Sequence, residues 1–316
     1  MQLISNNAHI NFMVLRKPAY VFSATLLLIA IVSLFVRGLN FGIDFTGGYL
    51  IEVAYEKPVE LGEVRDVLAK NGIDNAIVQH FGSQRDVLVR LVPKATEGAG
   101  TRTTAEVSDD ILAILKQGEQ SVSMRRVEFV GPQVGGELKN KGGLAMLLAL
   151  GCIMVYLWIR FEWKFSVGAV VALAHDVMIT LGFFSVTLLE FDLTVLAALL
   201  AVIGYSLNDT VVVYDRIREN FHRIRKGTPV EIVNSSINQT LSRTLMTSFT
   251  TLLVLFSLFA LGGGVIHDFS LALIVGIVIG TYSSIFVASP LVLGLGLRRD
   301  DLLVSRKEGG EVDLNP

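Results

Sequence analysis

Apolar residues fall along this chain in six long runs, divided by short polar breaks and one long mixed segment. Crossing the ~30 Å hydrocarbon layer of a bilayer takes about 20 apolar residues. Runs near that length lie at about Ala19–Val36, Leu144–Ile159, Phe165–Leu189, Leu193–Tyr214, Leu241–Leu261 and Phe269–Leu297. The pattern predicts six transmembrane helices. The first run is longer than a signal-peptide core, and no small-residue cleavage site follows it before Arg37, so it is expected to remain as a span.

The mixed segment between the first two runs carries shorter periods. "GYLIEVAYE" is strand-like, "VELGEVRDVLAKNG" has helical spacing with a glycine stop, and "NAIVQHF" and "DVLVRLV" alternate as strands. "TAEVSDDILAILKQ" is helical again and "SMRRVEFVG" is a last strand. The order β-α-β-β-α-β suits an α+β ferredoxin-like domain. "PKATEGAGTRTT" is expected to be a mobile surface loop.

Charge in the short loops sets the orientation. Arg16 and Lys17 precede the first span, and Arg160 and Lys164 bracket the turn after the second. Arg216, Arg218, Arg223, Arg225 and Lys226 follow the fourth span, and Arg298 and Arg299 the sixth. The loops Glu190–Asp192 and Gly262–Asp268 hold neither Lys nor Arg. Both termini are therefore expected in the cytoplasm. Residues 1–18 form the N-terminus, 19–36 the first span and 37–143 the outward domain. Residues 144–297 hold the other five spans with a cytoplasmic loop at 215–240, and 298–316 form the tail.

"TPVE" at Thr228–Glu231 has the makings of a capping box with proline at the first helical position. From there to Leu261 nothing obliges the helix to stop. Such a helix is roughly 50 Å long, so part of it lies in or below the membrane interface. Ser235, Gln239, Arg243, Thr247 and Thr250 follow at three- or four-residue steps along one face. That stripe is expected to face the bundle interior, away from lipid.

Polar residues inside the spans are the candidate chemistry, because an ionised group in hydrocarbon costs at least a few kcal/mol. Asp209, with Asn208 beside it, sits in the cytoplasmic half of the fourth span, and Arg243 near the same side of the fifth. Antiparallel neighbours would bring them to similar depth. One reading is a proton relay, in which the carboxylate alternates between paired and neutral while Asn208, Gln239, Thr247 and His175 lend polar support. A static ion pair, or an arginine that only flanks the membrane, is the other. Asp215, Arg216, Arg218 and Glu219 read as a solvated, topology-setting end. A second site is His175–Asp176 in the third span, with Ala169, Ala172 and Thr180 on the face of Asp176. Asp176 is a relay candidate; His175 is of a type that titrates near neutrality, or else a satisfied structural histidine. Gly276, Gly280 and Ser284 suggest helix contact.

Composition agrees with a membrane protein. The chain is 52% hydrophobic with a net charge of −2, so no basic field points to nucleic acid. Mean hydropathy is +0.57. The lone Cys152 rules out an internal disulfide and is expected to serve packing. No phosphate-binding loop or metal-ligand cluster stands out, so neither cofactor nor metal is expected.

Five motifs together resemble the SecD/SecF family of protein-export membrane proteins, on its SecF side. They are "FGIDFTGGYLIEV", "VEFVGPQVGGEL", "AHD", "GYSLNDTVVVYDRIREN" and "NQTLSRTLMTS", spread over nearly the whole chain. The resemblance implies one half of a transporter of the resistance-nodulation-division type. It implies SecD as partner, working after the SecYEG channel and the SecA ATPase to pull an unfolded preprotein outward with the proton gradient. It further implies that Asp209 and Arg243 serve proton passage with a third carboxylate from SecD, and that Asp44, Gly47 and Gly48 form a hallmark at the membrane surface. For those three, a structural turn is the physical expectation. A small-molecule exporter half, a structural scaffold and an intramembrane aspartyl protease using Asp176 and Asp209 are the rivals; the protease lacks its usual glycine context.

Overall fold

The computed structural model describes residues 10–74, 76–91, 103–118, 121–224 and 226–297. The loop expected to be mobile falls almost wholly outside them. Among the described residues, six helices are long and apolar enough to cross a membrane. They are α1 (Arg16–Val36), α5 (Pro132–Arg160), α6 (Trp163–Thr187), α7 (Leu193–Arg223), α8 (Pro229–Leu261) and α9 (Gly264–Ser283). A π-turn at Ser284–Ala288 and a short α10 (Ser289–Gly294) continue α9. The chain is thus a multi-pass membrane protein with a sheet domain.

The helices run past the apolar stretches that announce them. α5 begins twelve residues before Leu144, because Gly131 ends the last strand and Pro132 starts the helix with a preset φ. α7 continues to Arg223 and α8 starts at Pro229, capped as expected: Glu231 N–H donates to Thr228 Oγ1 at 3.3 Å, and Thr228 N–H to Glu231 Oε2 at 2.9 Å. Polar residues do not stop a helix; only caps and breakers do.

α6 and α9 have 61% of their apolar windows buried within the chain, against 11% for α5 and 17% for α8. The first two therefore form the centre and the last two the rim. α1 comes close to α6 because Gly182 faces Ala30, where a Cβ would lie 2.2 Å from the alanine methyl. Gly276 packs on Val202 and Gly280 on Ser206 of α7, the helix contact expected of them. Cys152, expected in packing, is instead exposed, since α5 turns that face away from every other helix.

The sheet domain follows the expected order. Short β1 (Asn40–Phe41) and α2 (Ile43–Thr46) lead into β2 (Gly48–Tyr55), α3 (Leu61–Lys70), β3 (Ile77–Phe81), β4 (Ser83–Leu91), α4 (Thr104–Leu115) and β5 (Val122–Val130). The antiparallel strands lie in the order β3-β4-β2-β5. One face buries Ile51, Val53, Val87 and Val89 against Leu68, Ile111 and Leu115 of the two helices. β1 pairs in parallel with β6 (Glu190–Phe191), the link between α6 and α7. Domain and bundle therefore share a small sheet at their junction.

Candidate functional site

Asp209 is 3% exposed on the inward face of α7, and its Oδ2 has no hydrogen-bond partner. The groups in electrostatic reach of its carboxyl are Arg243 and the Ser248 hydroxyl, both on α8. Antiparallel packing of α7 and α8 does bring Arg243 to the depth of Asp209, yet the two make no ion pair in this arrangement. Asn208, one residue away, is exposed.

The polar stripe of α8 is a correction. Gln239, Arg243 and Thr250 are exposed, and Ser235 and Thr247 are only partly covered. The buried polar face carries Ser236, Thr240, Thr244 and Ser248 instead. Two of these hydroxyls return to their own helix: Ser236 donates to the Ile232 carbonyl at 2.8 Å and Thr240 to that of Ser236 at 3.1 Å. Satisfied in this way they pack like small apolar groups, which is why the sequence pattern favoured the wrong face. The stripe is left on the rim, with the guanidinium of Arg243 open.

Of the four residues expected to lend support, Gln239 and Thr247 make their hydrogen bonds away from Asp209. Gln239 Oε1 accepts from Arg216 Nε at 2.6 Å and Asn220 Nδ2 at 2.9 Å, joining the far ends of α7 and α8. Thr247 Oγ1 donates back to the carbonyls of Arg243 and Thr244. At that same end the charges pair between helices. Asp215 meets Arg160 at 3.1 Å and Arg218 meets Glu162 at 3.7 Å, so Asp215 turns to α5 and not to Arg218 of its own helix.

Asp176 is fully buried and fully engaged. Its Oδ2 accepts from Ser206 of α7 at 2.6 Å and from Ser283 of α9 at 2.8 Å. Its Oδ1 contacts His175 Nδ1 at 2.9 Å. One carboxyl thereby ties three helices together, one turn along α7 from Asp209. His175 is 5% exposed and its Nε2 is unpartnered, facing an apolar groove between α1, α6 and the π-turn. Ser206 and Ser283 escaped sequence reading; the small-residue face of α9 was their only signal. A hydroxyl chain runs beside this node. Ser248 and Thr281 lie 2.8 Å apart, and Tyr205 reaches Ser248 at 3.5 Å.

At the sheet-domain end, Asp44 Oδ2 accepts from Leu193 N–H at 3.0 Å and so helps cap α7. Gly47 has φ +72°, and a Cβ there would lie 2.5 Å from Cα of Pro132. Gly135 returns the approach, with Gly47 N 2.8 Å from its own would-be Cβ. The glycine motif is thus a backbone-on-backbone seat for the start of α5, the structural turn expected of it.

Comparison with known proteins agrees. Residues 110–298 match the model for "Protein export membrane protein SecD/SecF, C-terminal", and residues 32–59 the SecD/SecF GG motif. The chain is 51% identical to protein translocase subunit SecF of Vibrio alginolyticus, covering 100% of this chain and 99% of the relative. It is 49% identical to the SecF subunit of Escherichia coli O157:H7, over 93% of this chain and 90% of the relative. The crystal structure of SecDF from Thermus thermophilus superposes with a TM-score of 0.83 at 40% identity. A SecDF structure in a super-membrane-facing form gives 0.67 at 41%. This chain spans 40% of the length of each SecDF chain while 94% and 95% of it is covered. Matching models, full-length relatives and a shared fold lead to one assignment: the chain belongs to the SecD/SecF family of protein-export membrane proteins, as a SecF-type member.

Proposed function

We propose that the chain works with SecD in the bacterial cytoplasmic membrane and couples the proton gradient to the late stage of preprotein translocation. On this reading both termini are cytoplasmic and the sheet domain faces outward. SecYEG and SecA deliver the unfolded preprotein, and the chain itself performs no covalent chemistry and needs no cofactor. The observation that carries the reading is the buried Asp209 with a free oxygen, next to the α8 face whose Arg243 stands open on the rim. A carboxyl with nothing bonded to Oδ2 has somewhere to put a proton, and a cation on α8 lies within electrostatic reach of it. The two states of Asp209 then differ in their attraction to α8, which gives the helices a reason to repack with each proton. Asp176, held through Ser206 one turn along α7, is the second acidic station. The uncovered stripe of α8 is where SecD would lie, supplying a further carboxylate.

Inverted membrane vesicles test this. Preprotein is driven partway in with ATP and SecA, ATP is removed, and completion is followed with and without a proton gradient. Asp209→Asn, checked for equal assembly with SecD, is expected to abolish gradient-driven completion. Unchanged completion would reduce Asp209 to a structural acid and favour the scaffold reading.

A further inference from the structure

α1 and α6 pack closely toward their C-terminal ends, where Gly182 faces Ala30 and the Ser33 and Ser185 hydroxyls lie 2.8 Å apart. Earlier along both helices they part, and a groove of about 430 Å³ opens between them. Its walls are Leu27 of α1, Val171 and Met178 of α6, Val287 of the π-turn and Leu291 of α10. Val171 and Ala24 are exposed at its mouth. The described walls include no residue of α7 or α8, so the groove lies apart from the polar stripe.

His175 borders this apolar space and is 5% exposed. Its ring is held from two sides: Nδ1 stands 2.9 Å from Asp176 Oδ1, and one face stacks on Tyr282 with centroids 6.4 Å apart. Imidazole is a stronger base than a carboxylate, so the proton between them belongs on Nδ1 and leaves Nε2 a bare acceptor. That nitrogen has no partner among the described residues. The nearest hydroxyl on the walls cannot serve it. Tyr282 donates to the Ala19 carbonyl at 2.8 Å, so Ser23, 3.0 Å from the same oxygen, spends its own proton on Tyr282.

Three occupants fail to satisfy Nε2. Water needs two or more polar partners, and an apolar groove offers it one. Lipid carries its donors in the headgroup region, whereas His175 stands twelve residues from either end of α6, at mid-span, where lipid is only hydrocarbon. A second copy of the chain has nothing free to give at that depth. Thr25 and Thr250, its exposed hydroxyls nearest mid-span, donate to carbonyls of their own helices at 2.8 and 2.9 Å. A membrane helix of another protein can place a donor at any depth, and histidine is among the residues that hydrogen-bond between spans.

We propose that the groove between α1, α6 and α10 seats a transmembrane helix of another protein, which turns a hydroxyl side chain inward to donate to Nε2 of His175. The site stands apart from Asp209 and from the contact along α8.

Energy transfer in vesicles of phosphatidylethanolamine and phosphatidylglycerol tests this. The full chain carries the fluorescent donor at Thr187→Cys in a Cys152→Ser background, and synthetic membrane-length leucine–alanine helices carry the acceptor. One pair of helices has tyrosine or phenylalanine at its centre, the other serine or alanine. At least one hydroxyl helix is expected to bind about three- to tenfold more tightly than its counterpart, the worth of one hydrogen bond between spans. His175→Asn keeps a donor for Asp176 where Nδ1 stands but removes Nε2, and is expected to erase that preference. Ala24→Leu fills the exposed mouth and is expected to weaken every helix that binds. Equal binding within both pairs overturns the proposal and leaves the groove to lipid tails. A preference that survives His175→Asn, or binding untouched by Ala24→Leu, overturns it as well, because the helix then sits on another face.

Discussion

Gly47→Ala is the sharpest test of how the outward domain is seated. The backbone there is at φ +72° and ψ 168°, a region that only glycine occupies freely. An alanine held in it costs about 1–3 kcal/mol. The added methyl also has no room: Pro132 Cα stands 2.5 Å and Pro132 N 2.7 Å from where it must go. Both are backbone atoms at the first turn of α5, so relief requires moving the helix. Overpacking of this kind costs about 1–3 kcal/mol more. The sum, about 2–6 kcal/mol, is a large share of the about 5–15 kcal/mol that holds a typical domain folded. Gly136→Ala is the matched control, because nothing lies within 4 Å of its would-be Cβ. In the second turn of a helix that change should stabilise by up to about 1 kcal/mol. Unfolding of the full chain in mixed micelles can be followed by fluorescence of Trp158 and Trp163, which flank the α5–α6 turn. Equal midpoints for the two variants would show that the glycine seat is dispensable, and the reasoning from close approach would fail.

Removing the donors on Asp176 by Ser206→Ala or Ser283→Ala should cost about 1–3 kcal/mol each in the same unfolding assay, with the double variant non-additive because both bind one oxygen. Cysteines placed at Arg243 and Thr250 should react readily with a membrane-permeant maleimide in the chain alone and be protected when SecD is co-expressed; equal labelling in both would leave the α8 stripe facing lipid. Asp192→Asn should preserve the α7 cap on Val195 N–H, since asparagine caps as well as aspartate. Burial holds the Asp192 carboxyl above the usual carboxylate range. The change should therefore also remove a contribution that weakens the junction as pH rises, seen as a shallower pH dependence of amide exchange in β1 and β6. Asn234→Ala with Asn238→Ala should speed amide exchange at Ile10 and Phe12, whose N–H groups donate to those side chains at 2.9 and 2.8 Å. Unchanged exchange would mean that other contacts hold that segment.

Much of the architecture was written locally, and the reason is physical. Apolar runs of membrane length have no other stable home, so six spans followed from Ala19 to Leu297. Period-two and period-3.6 patterns set the β-α-β-β-α-β order, because each strand and helix must bury one face. The capping box at Thr228 and the turn at Gly47 depend on one or two neighbours in sequence and were legible for that reason, whereas the seating of that turn on Pro132 and Gly135 was not. Contacts across the fold were not. Whether Arg243 touches Asp209 depends on the rotation of α8 about its axis, and that rotation is set by which face packs best on α7 and α9. With hydroxyls on two faces, only packing could choose, and it buried Ser236 to Ser248 while leaving Arg243 on the rim. The partners of Asp176 come from residues 30 and 107 positions away, a separation that no local period encodes. Arg90 read as one more strand residue, because nothing local marks an arginine that will be buried beside Glu190, a hundred residues later. The sequence by itself decided which segments cross the membrane and which fold outside it. Tertiary packing decided which buried acid is held and which is left free, since that depends on the side chains that neighbouring helices turn toward it.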